Sequence, residues 1–256
     1  MNKILGKYWQ MSIAVILSIV ILVTPAIAGV STANIFSGKG ALHYTIPSKS
    51  ENNQLIQQAL NDENVKVLLS ELSVNKQNVS NSVAANWEYD GKQGRVLILT
   101  FKADKEPDKE VQLYYFESQG KIKTGAGIIQ SINGKQKIEA YDVDKGKVYH
   151  AATIDVVNKT PKITWREGPF VPSNATEVQG EVTASSSSSC SECKTWCNYI
   201  LGTLNCSIGG LFFCAAACGP AIGICAVICA ILWGLVCTYG TNVDCNSFCT
   251  YEGYCP

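Results

Sequence analysis

The chain has 256 residues, with 21 basic and 21 acidic side chains and no net charge. It lacks the basic excess needed to hold a phosphate backbone, which excludes nucleic acid as a partner. At ~100–200 residues per domain the length fits one large domain or two small ones. All 12 cysteines lie between Cys190 and Cys255, so two stretches of different chemistry have been joined.

The N-terminus carries Lys3 and Lys7, then an apolar run from Ile13 to Val23 broken only by Ser18, then Pro25 and Ala26-Ile27-Ala28. A charged start, a short apolar core and a small-residue site predict a secretory signal peptide over residues 1–28. Cleavage is expected between Ala28 and Gly29, by the general route because no twin arginine is present. An uncleaved anchor helix is the alternative, though the run is short against a ~30 Å hydrocarbon core. The expected destination is extracellular.

Residues 29–172 form the predicted pro-domain. Leu55, Ile56, Ala59 and Leu60 recur at near-helical spacing, and so do Val65, Leu68, Leu69 and Leu72. Asn61-Asp62 is expected to end one helix and cap the next. From Trp87 onward the pattern turns to strands at 95–102, 110–117, 126–132, 136–142, 147–157 and 162–166. Turn signals separate them at Asp90-Gly91, Gln119-Gly120, Asn133-Gly134, Lys145-Gly146 and Asn158-Lys159. The expectation is an α+β unit in which N-terminal helices precede an antiparallel meander.

Searches for catalytic sites find nothing here. His43 and His150 are the two histidines, and no HExxH occurs. The Gly-Lys pairs at 38–39, 134–135 and 146–147 do not complete a phosphate-binding loop, and Gly125-Ala126-Gly127 lacks the dinucleotide fingerprint around it. His150 reads as a structural residue in a strand. Neither an enzyme, a cofactor nor a metal site is expected.

Residues 173–189 read as a flexible linker, ending in five serines from Ser185 to Ser189. Such a tract has no apolar face to bury. It is either a tether between two joined parts or, as the contrast on its two sides favours, a processing site open to a protease.

Residues 190–256 hold Cys190, Cys193, Cys197, Cys206, Cys214, Cys218, Cys225, Cys229, Cys237, Cys245, Cys249 and Cys255. A small exported domain at this cysteine density relies on disulfides, and the tail has no histidine to favour zinc. CxxxC recurs at 193/197, 214/218, 225/229 and 245/249, which places two sulfurs on one helix face. The pairs 218/225, 214/229 and 206/237 are symmetric about a point just after Gly219-Pro220, and 197/245, 193/249 and 190/255 nearly so. This predicts an antiparallel helical hairpin closed by nested bridges, although the spacing alone does not fix the connectivity. The 206/237 pair requires bending at Gly209-Gly210 or Gly234. From Thr195 to Val243 there is no charged side chain. So apolar a stretch belongs in a core or against a membrane, and the pro-domain is a candidate for covering it.

Cys190-Ser191-Glu192-Cys193, Cys206-Ser207-Ile208-Gly209-Gly210 and the ending Tyr251-Glu252-Gly253-Tyr254-Cys255, around an uncharged Gly/Ala/Ile stretch, resemble the halocin C-eight type of microhalocin bacteriocin. That resemblance implies a secreted antimicrobial peptide released by proteolysis from a long pro-region, which serves the producer as an immunity factor by binding the toxin. The chain departs from the archaeal members in its export signal and in its balanced charge. The expected function is a bacteriocin precursor, whose partners are its own pro-domain, a processing protease and the target-cell envelope. The alternative is an unprocessed secreted protein whose cysteine-rich part is a binding or structural module.

Overall fold

A computed structural model describes residues 32–34, 42–102, 108–132, 135–157, 160–171, 190, 206–217, 224–240 and 245–246. The predicted signal cleavage at Ala28 and Gly29, the linker with Ser185 and Ser189, and Cys193, Cys197, Cys218, Cys249 and Cys255 lie outside them, as does the side chain of Cys225.

The first helices are set by local capping. Ser48 precedes α1 (Lys49–Asn61), where its Oγ accepts from the Glu51 N–H at 3.3 Å and the Glu51 carboxylate accepts from the Ser48 N–H at 2.7 Å. Asp62 then accepts from the Asn64 and Val65 N–H groups at 3.0 and 3.1 Å and starts α2 (Glu63–Glu71). The break expected at Asn61-Asp62 is therefore a helix end and a helix cap in one residue pair.

Nine strands follow one another in chain order across a single antiparallel sheet among the described residues. They are β1 (Thr32–Asn34), β2 (Leu42–Thr45), β3 (Val79–Tyr89), β4 (Lys92–Lys102), β5 (Lys109–Ser118), β6 (Lys121–Ile132), β7 (Lys135–Asp144), β8 (Lys147–Val157) and β9 (Thr160–Trp165). Asp90-Gly91, Gln119-Gly120 and Lys145-Gly146 make the β3–β4, β5–β6 and β7–β8 hairpins. All six residues have positive φ, between 49° and 76°, as two-residue primed turns require. The turns expected at Asn133-Gly134 and Asn158-Lys159 fall outside the described residues.

Strands β1, β2 and most of β3 were not expected from the sequence. Val79–Tyr89 is rich in Ser and Asn, and the strand is held by pairing along its length with β4.

The sheet is covered on both faces, so β4 runs Val96-Leu97-Ile98-Leu99 without a polar interruption. On one face Leu55, Ala59, Val65, Leu68 and Leu69 of α1 and α2 pack against Leu97, Leu99, Leu113 and Tyr115. On the other, α3 (Ile208–Ala217) and α4 (Ile224–Tyr239) share a core with Val96, Ile98, Tyr114, Phe116, Ala140 and Ile154. A bulge in β8 places Ala140 opposite Ala152 and Tyr141 opposite His150. Ala151 is left as the extra residue, and both alanines are fully buried under α3.

Candidate functional site at the seam between sheet and helices

Helices α3 and α4 are apolar on every side, and a helix of that kind must be enclosed. Ile208, Leu211, Phe212, Phe213, Ala230, Ile231, Trp233 and Leu235 are all buried. Helix α4 has 16 residues, and among the described residues no helix is long and apolar enough to cross a membrane.

Glycines shape the contact on both sides. A Cβ on Gly125 of β6 would stand 2.6 Å from Ile208, and one on Gly127 would stand 2.3 Å from the Phe212 ring. In return, Gly209 of α3 lets the helix backbone approach Ala152 and Trp165, and Gly234 of α4 lies against Phe116, 2.0 Å from where its Cβ would be. Large side chains from each layer thus sit where the other layer has none. The Phe212 ring meets Tyr114 edge-on at 5.1 Å, and Trp87 stacks on Phe116 at 5.2 Å. Burial pushes the Tyr114 phenol well above its ordinary range.

Among the described residues, one ionisable carboxyl is fully buried within this seam. Asp142 of β7, 2 % exposed, accepts the Ser207 hydroxyl at 2.7 Å and the Ile208 N–H at 2.9 Å. It caps α3 from a strand of the sheet and satisfies the Ile208 N–H, which the helix leaves unpaired. Burial raises its carboxyl to about 6, against the lowering effects of the Ser207 and Ile208 hydrogen bonds and of Lys123.

At the far end of α4 the seam is polar. The Tyr239 and Ser118 hydroxyl oxygens are 2.7 Å apart, and the Tyr239 hydroxyl donates to the Gln119 side chain at 3.2 Å. Lys121 donates to the Thr238 carbonyl at 3.4 Å. Lys92 and Lys121 lie over the Tyr239 ring, 4.8 and 5.2 Å from its centroid.

Cys214 and Cys229 join α3 to α4 in a disulfide, a pair that the symmetric spacing had matched. Cys190 and Cys245 each take part in a disulfide as well. Cys206 and Cys237 require a correction. The sequence reading counted them among the bridges, and here no disulfide joins them.

His150 stacks on Tyr141 at 5.1 Å and pairs with Glu139, away from the seam. Among the described residues no group of three His, Cys, Asp or Glu side chains could hold a metal ion. Sequence reasoning missed Asp142, Gly125, Gly127 and Tyr239. The two glycines did carry a signal, since glycine inside a strand marks a place where something approaches closely. Comparison of the chain with protein-family models, with curated proteins and with solved structures returned no match.

Proposed function

We propose that this chain is the precursor of a secreted, disulfide-rich antimicrobial peptide, carried by a pro-region that shields it until proteolysis releases it. The observation that carries this reading is the fit at the seam. The uncharged helices α3 and α4 lie in a trough that Gly125 and Gly127 open for Ile208 and Phe212. An apolar, cross-linked unit of this kind needs such a cover to remain dispersed in water. In this reading the export signal is removed between Ala28 and Gly29, and a second cut falls within 173–189. The freed cysteine-rich part then acts at the envelope of a target cell, and the pro-region binds and neutralises any peptide that stays with the producer.

The test has two steps. Mass spectrometry of culture supernatant should find a fragment beginning near Cys190 with its cysteines oxidised. That fragment, purified and applied to a broad panel of microbial strains, should inhibit growth of some of them. A fragment that inhibits none of them defeats the proposal.

The shared core favours a second reading. Because Phe212, Trp233 and Leu235 pack in one cluster with Tyr114 and Phe116, the two parts could remain one secreted protein whose helices complete the sheet. A single supernatant species of full mature length supports this second reading.

A further inference from the structure

Helices α3 and α4 are apolar on every side, so their own sequences do not fix which faces meet. Their cysteines add a second ambiguity. Cys214 of α3 has Cys218 four residues on, and Cys229 of α4 has Cys225 four residues back. A spacing of four repeats along one helix face. Sliding one helix past the other by a turn would therefore offer Cys214–Cys225 or Cys218–Cys229 in place of Cys214–Cys229.

The sheet removes both ambiguities. Helix α3 lies across β6 to β9 and α4 across β3 to β6. Asp142 of β7 holds the start of α3 through Ser207 and Ile208, at 2.7 and 2.9 Å. Ser118 at the end of β5 meets the Tyr239 hydroxyl at the end of α4 at 2.7 Å, and Lys121 of β6 donates to the Thr238 carbonyl at 3.4 Å. Gly125 and Gly127 admit Ile208 and Phe212, one turn apart on α3, and Gly234 of α4 admits Phe116. One helix is pinned where it starts and the other where it ends, which fixes both the faces and the register. In that register the Cα atoms of Cys214 and Cys229 are 5.9 Å apart, a separation that a disulfide spans.

We propose that the pro-region has a further function as a template for oxidative folding: its sheet sets the register of α3 against α4 and so selects Cys214–Cys229 among the pairings that the spacing permits. The pro-region takes no part in the redox chemistry, because it has no cysteine. An external disulfide such as oxidised glutathione supplies the oxidation. One thiolate of the aligned pair attacks it, forms a mixed disulfide and expels one thiolate. The second cysteine gives up its proton and attacks the mixed disulfide, which expels the other thiolate. Two thiols are oxidised, one disulfide is reduced to two thiols, and the two protons pass to the leaving groups. Templating of this kind needs the cover that the sheet gives the helices and no antimicrobial activity, so a freed peptide that inhibits no strain leaves it standing.

The test refolds the full chain, reduced and unfolded in urea, by dilution into a buffer of reduced and oxidised glutathione. Remaining thiols are then blocked and the bridges mapped by fragmentation mass spectrometry. In wild type Cys214–Cys229 should exceed Cys214–Cys225 and Cys218–Cys229 together. Asp142→Ala combined with Ser118→Ala removes an anchor at each helix and changes no residue of 190–256. The excess should fall by roughly fivefold for each anchor lost, the preference that one cap or one hydrogen bond supplies. Leu68→Ala weakens the sheet from its other face, where Leu68 packs, and should leave the excess as in wild type. A second measurement needs no variant: wild type oxidised at increasing urea should lose the excess as the sheet loses its circular dichroism signal. An excess that survives loss of the anchors in a folded chain, that falls equally in Leu68→Ala, or that persists after the sheet has melted would overturn the proposal.

Discussion

The Asp142 carboxylate, on a strand, accepts the hydroxyl of Ser207 at 2.7 Å across 65 residues of sequence, and so ties the sheet to the start of α3. A carboxylate enclosed in this way makes stability depend on pH. Its folded value of about 6 lies above the ordinary 3.8. The folded chain therefore holds the proton more tightly than the unfolded chain does. This group favours folding most below pH ~4, and its contribution is lost as pH rises through 6. The shift corresponds to at most about 3 kcal/mol. Asp142→Asn keeps one oxygen to accept from the Ile208 N–H, presents its amide N–H to the Ser207 hydroxyl oxygen, and has no charge to titrate. Urea denaturation at pH 4.5 and 7.5 should show wild type losing stability relative to Asp142→Asn at the higher pH. A difference that does not change with pH would mean that Asp142 does not titrate in this window.

The Cys214–Cys229 bond closes a loop with a sequence separation of 15. Chain-entropy arguments give a loop of that size about 3 kcal/mol of stabilisation. Cys214→Ala with Cys229→Ala should lower the denaturation midpoint accordingly. The sheet should keep its circular dichroism signature at temperatures where the helical signal has begun to fade.

The parts of the fold governed by local chemistry were legible in the sequence. Asp62 could be recognised as a cap, Asp90-Gly91 and Lys145-Gly146 as turns, and β4 to β9 from their Val, Ile and aromatic content. Strand β3 was not legible because Ser and Asn occupy much of it, and its partner across the Asp90-Gly91 turn supplies the order its own composition lacks. The seam was legible only in outline. Symmetric spacing paired Cys214 with Cys229, the bond that ties α3 to α4, and it also paired Cys206 with Cys237, which no disulfide joins. Nothing local linked Asp142 to Ser207, or Gly127 to Phe212, since those contacts join segments separated by the whole linker.

Tyr239 anchors the polar end of the seam. Tyr239→Phe removes the hydroxyl that meets Ser118 and Gln119 but leaves the ring beneath Lys92 and Lys121. The expected loss is about 1 kcal/mol, typical of one hydrogen bond. Tyr239→Ala also removes the ring and its cation–π contacts, and should lose at least twice as much. Equal losses for the two variants, measured by thermal denaturation, would show that the ring contributes nothing there.

The contact between Gly127 and Phe212 allows a test of the seam that separates local from coupled effects. A Cβ at position 127 would stand 2.3 Å from a ring that is itself 1 % exposed, so the ring has no room to retreat. Gly127→Ala should therefore destabilise the chain by about 1–3 kcal/mol, the range for overpacking a core. Phe212→Ala leaves a cavity and should lose about 3–5 kcal/mol. In the double variant the new methyl group enters the space that the ring has left. The combined loss should then fall short of the sum of the single losses by 1 kcal/mol or more, the coupling expected of residues in direct contact (on the order of 0.5–3 kcal/mol). Additive losses would show that the helix does not sit over Gly127. Urea denaturation of the four proteins at one pH, followed through tryptophan emission, to which Trp87 and Trp233 of the same core contribute, decides between the two outcomes.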